Sequence, residues 1–349
     1  MVVTASRAAP PVPPSGSRLR RRRLLGLSAL VVVLIVACVA GVALGAKAIP
    51  LDHVWDALVA PTGTADDIVV RALRIPRTLL GVMVGAALGL SGALIQGHTR
   101  NPLADAGLLG VNAGAAFLVV VGIYAFGVTS LYGYVWFAFA GALVAMVVVF
   151  ALGSTGRGGP TPVTLALAGA AVSALLAALT SAVILVDVQT LDAYRFWAVG
   201  SLAGRDAAVA GQVGWFLLAG AVIAFAGAPA LNALALGDDV ARSLGHSVLR
   251  TRVVGIVAIT LLAGGATAAC GPVAFVGLVV PHVVRGFTGP DHRWLLPVSA
   301  LAGAVLLVAA DVLGRVLARP GELQVGIVLA LVGGPFFVWL VRRRKMVAV

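Results

Sequence analysis

Charged side chains are scarce in this chain, and those that occur fall into a few tight groups. Arg74-Ile-Pro-Arg77 sets two guanidinium groups about one turn apart at the head of a long apolar run, and Arg315 and Arg319 close another. Asp238, Asp239 and Arg242 lie together in a short polar stretch bracketed by Gly237 and Gly245. The chemistry open to these residues is recognition rather than catalysis. A guanidinium keeps its proton and presents a rigid fork of donors to carboxylates or phosphates. Paired aspartates followed one turn later by an arginine suit the capped start of a surface helix. The stretch therefore has two readings, a solvated connecting helix or a docking helix that fits a cleft on a cytoplasmic partner. Arg71, Arg74, Arg77, Arg315 and Arg319 also have two: they neutralise Asp66, Asp67 and Asp311, or they form an electropositive rim that steers an acidic partner.

Other chemistries lack their residues. The histidines at 53, 98, 246, 282 and 292 contain no i, i+4 pair, and Cys38 and Cys270 have no ligands at metal spacing, so neither a metal site nor a disulfide is expected. His282, after Pro281, reads as a hydrogen-bonded helix-end residue. No Gly-x-x-x-x-Gly-Lys-Ser/Thr loop exists and the only lysines are Lys47 and Lys345, so this chain is expected to bind no ATP and no other cofactor and to carry no catalytic residue. The net charge of +12 is not accompanied by a basic patch with interleaved aromatics, which argues against nucleic acid.

The elements that must position these groups are membrane spans. Of the residues, 60% are hydrophobic and 11% charged, and 43 are glycine, a composition that suits close-packed transmembrane helices. Cutting the apolar runs at about 20 residues predicts about ten spans, near 24–46, 78–97, 107–127, 132–153, 163–186, 207–229, 252–270, 272–288, 294–316 and 325–341. Only Gly271-Pro272 marks the cut between the seventh and eighth. The fold class expected is an all-α polytopic membrane protein. An even count puts both termini on one side, and that side collects 17 of the 25 Lys and Arg residues, so both termini are expected to be cytoplasmic. Residues 1–23, rich in proline and arginine, are expected to be a disordered cytoplasmic tail, and 24–345 the transmembrane domain, with a cytoplasmic loop at about 231–252. A cleaved signal peptide is the weaker reading of the first apolar run, which continues past Cys38 to Ala46. Gly81, Gly85 and Gly89 at four-residue spacing are expected to pack helices. The spans hold no string of Asp, Glu or Lys, which counts against a stand-alone secondary carrier driven by an ion gradient.

The motifs Arg74-Ile-Pro-Arg77, GAALGLSGALIQG (85–97), NPLADAGLLG (101–110), LGDDVARSLG (236–245), GPVAFVGLVVPHVVRGFTGPDHRWLLP (271–297) and GELQVGIVLALVGGPFF (321–337) resemble the FecCD family, permeases of type II ATP-binding-cassette importers for ferric siderophores, haem and vitamin B12. The resemblance spans roughly residues 50 to 345. It implies a ten-helix permease of the cytoplasmic membrane that dimerises with a second copy or a paralogue and moves its cargo inward by alternating access. Two cytoplasmic ATPase subunits, carrying the ATP and Mg, and an extracytoplasmic substrate-binding protein are its implied partners. By the same resemblance, Gly237, Asp238, Asp239, Arg242, Ser243, Leu244 and Gly245 couple to the ATPase, and Arg74, Arg77 and Arg315 dock the binding protein. The cytoplasmic gate falls at Gly159-Pro160-Thr161-Pro162, with Thr161 and Pro162 as its residues. The chain departs from the family pattern at Pro162, which replaces the second of a pair of hydroxyl residues, and at Ala106, where proline is common.

Overall fold

The computed structural model describes residues 16–128, 130–155 and 161–342, and among these it is helical with no strand. Helix α1, Gly16–Ala43, begins eight residues earlier than the expected span. Arginine is a good helix former, and the Arg23 guanidinium is tied down, donating to the Thr288 carbonyl at 2.9 Å and lying 5.5 Å from the centre of the Trp294 ring. The part of the predicted 1–23 tail that is described, from Gly16 on, is therefore helix, whereas residues 1–15 lie outside the described residues.

Two short helices, α2 (Leu51–Val59) and α3 (Ala65–Ile68), follow on the far side. A π-helical turn over Val69–Arg74 then leads into α4, Ile75–Thr99, whose Pro76 sits in the first turn, where a missing N–H costs nothing. A 3-10 turn at Ala106–Leu109, capped by Asp105, precedes α5 (Val111–Phe126), and α6 spans Leu131–Gly153. Next come α7 (Pro162–Val186), α8 (Val188–Ala198) and α9 (Ala207–Ala235). The six-residue α10 (Asp238–Ser243) connects α9 to α11, Val248–Ile259, which runs through a π turn into α12, Gly265–Cys270. The last three are α13 (Val276–Thr288), α14 (His292–Leu317) and α15 (Val325–Arg342). The weak cut at Gly271-Pro272 is a real break: Gly271 adopts φ +81° and residues 271–275 leave the helix before α13 starts.

Seven helical runs among the described residues are long and apolar enough to cross a membrane, and three shorter apolar helices, Val111–Phe126, Val276–Thr288 and Val325–Trp339, accompany them. Helix α4 forms the centre, with every residue from Ala87 to Thr99 buried. It approaches α14 and α13 to backbone contact. A Cβ on Gly85 would sit 2.5 Å from the Gly303 carbonyl oxygen, one on Gly89 2.1 Å from that of Ser299, and one on Gly92 2.1 Å from that of Gly277. Gly81 meets the Leu202 and Val308 side chains instead, at 3.2 Å. The four-residue glycine spacing thus packs helices, as small residues do where lipid offers no hydrophobic drive for association.

Helix α4 runs antiparallel to α14, since Arg77 at its start meets Asp311 and Gly97 at its end meets His292. Helix α1 runs parallel to α14, from the Thr288–Trp294 end to Arg315. The molecule therefore has two polar ends. One gathers the start of α1, residues 100–105, the α10 region and residues 285–293. The other gathers the end of α1, the start of α4, residues 202–205 and the end of α14.

Candidate functional site

At the end that holds the start of α1, α10 projects from the bundle. Gly237 precedes it at φ +114° and Gly245 follows at φ +82°, backbone conformations that favour glycine, so this pair sets both edges of the helix. Only Ala241 of α10 is buried. Asp238 anchors the connection: it pairs with Arg252 of α11 at 2.8 Å and with Arg100 just after α4, and Arg100 also donates to the Leu234 carbonyl at the end of α9. Among the described residues Asp239 and Arg242 pair with each other, at 2.7 Å on the surface, and Val240, Ser243 and Leu244 are exposed beside them. The motif thus divides into one residue that fixes the helix and five that present an apolar and charged face. Arg100 and Arg252, which complete the anchor, were not singled out by sequence; their only signal is a location on the basic face of the topology.

At the opposite end the three motif arginines are turned inward, with Arg74 4%, Arg77 8% and Arg315 2% exposed. Arg77 grips the buried Asp311 through Nε and Nη2 at 2.8–3.1 Å and reaches Glu322 through Nη1 at 2.7 Å. Arg315, one turn after Asp311 on α14, lies 3.0 Å from the same carboxylate and donates to the Gly41 and Leu44 carbonyls at 3.0 Å. Arg74 donates to the Val42, Ala43 and Lys47 carbonyls at 2.6–3.0 Å, and Arg319 to that of Gly45. The carbonyls of Gly41, Val42 and Ala43 are ones that the end of α1 leaves without helical partners, so Arg74 and Arg315 cap one helix C-terminus while Arg319 holds the turn that follows it. Gly45 makes room for this: a Cβ there would stand 2.8 Å from the Arg74 Nη2. Of the two sequence readings, the structure displays internal neutralisation for Asp311. Asp66 is met instead by Lys47 at 2.7 Å and His53 at 3.1 Å, and Asp67 closes the cap of α3.

The profile of the FecCD transport family matches residues 33–343. The chain belongs to the FecCD transport family. It is 46% identical over 322 residues to the ferric enterobactin transport system permease protein FepD of Escherichia coli (strain K12), covering 92% of this chain and 96% of the relative. It is 38% identical over 317 residues to the probable siderophore transport system permease protein YfiZ of Bacillus subtilis (strain 168), covering 91% and 95%. Its fold superposes with a TM-score of 0.80 and 29% identity, over 91% of this chain and 98% of the other, on a structure described as an inward-facing conformation of a metal-chelate type ABC transporter. The protein is thus a multi-pass permease subunit of an importer of the ATP-binding-cassette class, residing in the cytoplasmic membrane.

The remaining sequence-expected residues of this FecCD permease form the start of α7. Thr161 caps that helix: its Oγ1 accepts from the Thr164 N–H at 3.1 Å while the Thr164 hydroxyl accepts from the Thr161 N–H at 2.9 Å and donates to the Gly153 carbonyl at 2.8 Å. Pro162 occupies the first helical position. Gly159 and Pro160, expected beside them, lie outside the described residues. Arg205 and Glu322, not singled out by sequence, join Arg74, Arg77 and Arg315 around one pocket. Their signals were faint: an arginine in a short loop on the side where the expected topology predicts few, and a glutamate within the GELQVG motif.

Proposed function

We propose that this permease carries a ferric siderophore, or the related cargoes haem and cobalamin, inward by alternating access powered by two ATPase chains. The reading rests on the 46% identity to a ferric enterobactin permease along nearly the whole of both chains. It takes the seven long helices and the three shorter apolar ones as ten spans with both termini in the cytoplasm, where the basic residues collect. ATP and Mg would be held by the ATPase chains, because this one has no phosphate-cradling loop. The exposed face of α10, from Asp239 to Leu244, would receive the push of the ATPase, and Asp238, locked to Arg100 and Arg252, would pass it to α4 and α11. A second copy or a paralogue would complete the path, with Thr161 and Pro162 at its cytoplasmic gate. A substrate-binding protein would dock on the outer end that carries Arg74, Arg77 and Arg315.

The test is to tag the chain, purify it from its own membranes in mild detergent after crosslinking, and identify what co-elutes by mass spectrometry. Recovery of a P-loop ATPase together with a binding protein is the expected result, and the ligand of that protein names the cargo. Elution of the chain without an ATPase would return the secondary-carrier reading to the front.

A further inference from the structure

The α10 end of the bundle carries a cavity of its own. It measures about 520 Å³ and lies between α4, α9 and α11, with Gly245 and His246 at its rim. That size falls within the range of small-ligand sites, about 300–1,000 Å³. Its walls change character with depth. Toward the polar end stand His246, Ser247, Arg250 and Thr251, and no acid is among the described residues that line it. Further along, Ile223, Ala226, Gly227 and Ala230 of α9 face Val254 and Ala258 of α11, all of them apolar.

Both the rim and the floor have polar groups without partners. Arg250 is exposed, and among the described residues no hydrogen bond or ion pair reaches its guanidinium. Its backbone N–H donates to the Ser247 hydroxyl, which caps α11, and the first turn of that 12-residue helix turns the positive end of its dipole to the same rim. On the floor His98 is 9% exposed, and its Nδ1 meets no partner among the described residues. Its ring lies against Gly255, where a Cβ would stand 1.8 Å from Nε2, so this glycine admits an imidazole to the wall. A buried imidazole nitrogen left unbonded costs free energy that a ligand oxygen would recover. Gly227 opens the facing wall, since a Cβ there would meet nothing within 4 Å. The mouth lies between Val222 and Val254, both exposed, with Phe225 and Val257 exposed on its flanks. These side chains belong to helices long and apolar enough to cross the bilayer, so the mouth opens toward lipid.

We propose that the cavity binds one anionic phospholipid from the leaflet at the α10 end. Its phosphate rests on Arg250 and the capped start of α11, and an acyl chain runs between α9 and α11 past Gly227. His98 meets an ester or phosphate oxygen at the floor. Charge complementarity selects the headgroup, because the rim offers a free cation, a helix N-terminus and hydroxyls. The apolar walls select a lipid over a free anion, which would find nothing to bond along most of the cavity. Neither the cargo nor the side of the membrane that the α10 end faces enters into this assignment.

The full-length permease, stripped of lipid in detergent, is titrated with dioleoylphosphatidylglycerol or dioleoylphosphatidylcholine, and the first bound lipid is followed by native mass spectrometry. Phosphatidylglycerol should bind about fivefold more tightly, the contribution of one arginine near an anionic headgroup. Arg250→Gln should erase that preference and, without lipid, melt like wild type, because the side chain is exposed and unpaired. Gly227→Leu, which fills open space in the wall, should weaken the first lipid whatever its headgroup. Equal affinity for the two lipids in wild type, or a preference kept by Arg250→Gln, would overturn the proposal. So would unchanged binding in Gly227→Leu, which would put the first lipid elsewhere on the apolar belt. Displacement of phosphatidylglycerol by an equal concentration of inorganic phosphate would make this a free-anion site and end the lipid assignment. Loss of the lipid once an ATPase chain is bound to the permease would give the cavity to that chain instead.

Discussion

The two ends of this permease concentrate charge in opposite ways. At the end proposed above as outer the arginines are buried, and the donors of Arg77, Arg315 and Arg74 are directed at Asp311, Glu322 and the carbonyls at the end of α1. At the end proposed as inner Asp239 and Arg242 stand in solvent and, among the described residues, pair with each other, beside the exposed Val240 and Leu244. A guanidinium on the outer face of a membrane protein is therefore not by itself a docking group. Where a span ends in a low-dielectric setting, its unpaired carbonyls need donors, and arginine supplies several from one side chain. The inner helix has the reverse character, with little internal bonding and much presented surface, which is what a contact with another chain requires.

The largest effect that separates the two ends should come from Asp311→Asn. It leaves Arg77 and Arg315 facing each other in the interior without the carboxylate they share, and breaking a buried ion pair in this way costs about 3–5 kcal/mol. We expect a sharp loss of folded protein and of thermal stability in detergent, with Arg77→Gln close behind. If Asp311→Asn melts like wild type, the cluster does not hold α1 and α4 together, and Arg77 and Arg315 become free to serve as docking groups.

An intermediate test addresses the inner end. Asp239→Ala with Arg242→Ala removes an exposed i, i+3 pair that contributes almost nothing to stability. The double variant should melt normally yet lose transport-linked ATP turnover. Asp238→Ala, by contrast, should lower the melting temperature as well, because it strands the buried Arg252. If the double variant retains coupled turnover, the exposed face of α10 is only a connector.

The contrast also marks what the sequence could reveal. The apolar helices were legible because apolar length is a one-dimensional signal, and even the Gly271-Pro272 break, which interrupts a nearly continuous run, is where the helix stops. Gly85 and Gly89 were legible for the same reason, since four-residue spacing is itself a helix face. The inner helix followed from its bracketing glycines. The state of the outer arginines was not legible, because it depends on contacts between residues more than 200 positions apart, such as Arg77 with Asp311 and Arg315 with Gly41. Arg205 was hidden for a related reason: that its buried Nε meets no acceptor among the described residues is visible only once the fold has formed. The helical start of α1 was missed because Arg23 is held by Thr288 and Trp294, again across the whole chain.

The smallest expected effect lies in the loop that covers the outer cluster. His53 bonds to Asp66, which also takes the Lys47 ammonium, and that hydrogen bond, with the charge of Asp52 next, raises the His53 pKa above 6.5. A histidine whose folded pKa is raised adds stability that is fully present below the unfolded value of about 6.5 and disappears as pH rises through the folded value. The hydrogen bonds from Lys47 and then His53 lower the Asp66 pKa, so its carboxylate stays charged throughout that window and the loss is confined to the His53 arm of the clasp. Because the imidazole is exposed, the effect should be slight and weaker still at high salt. Wild type should therefore melt slightly higher at pH 6 than at pH 8 relative to His53→Gln, whose profile lacks this slope. Identical profiles would mean that the outer loop is held by Lys47 and the cap of α3 alone, and that protonation of this face plays no part in seating α1.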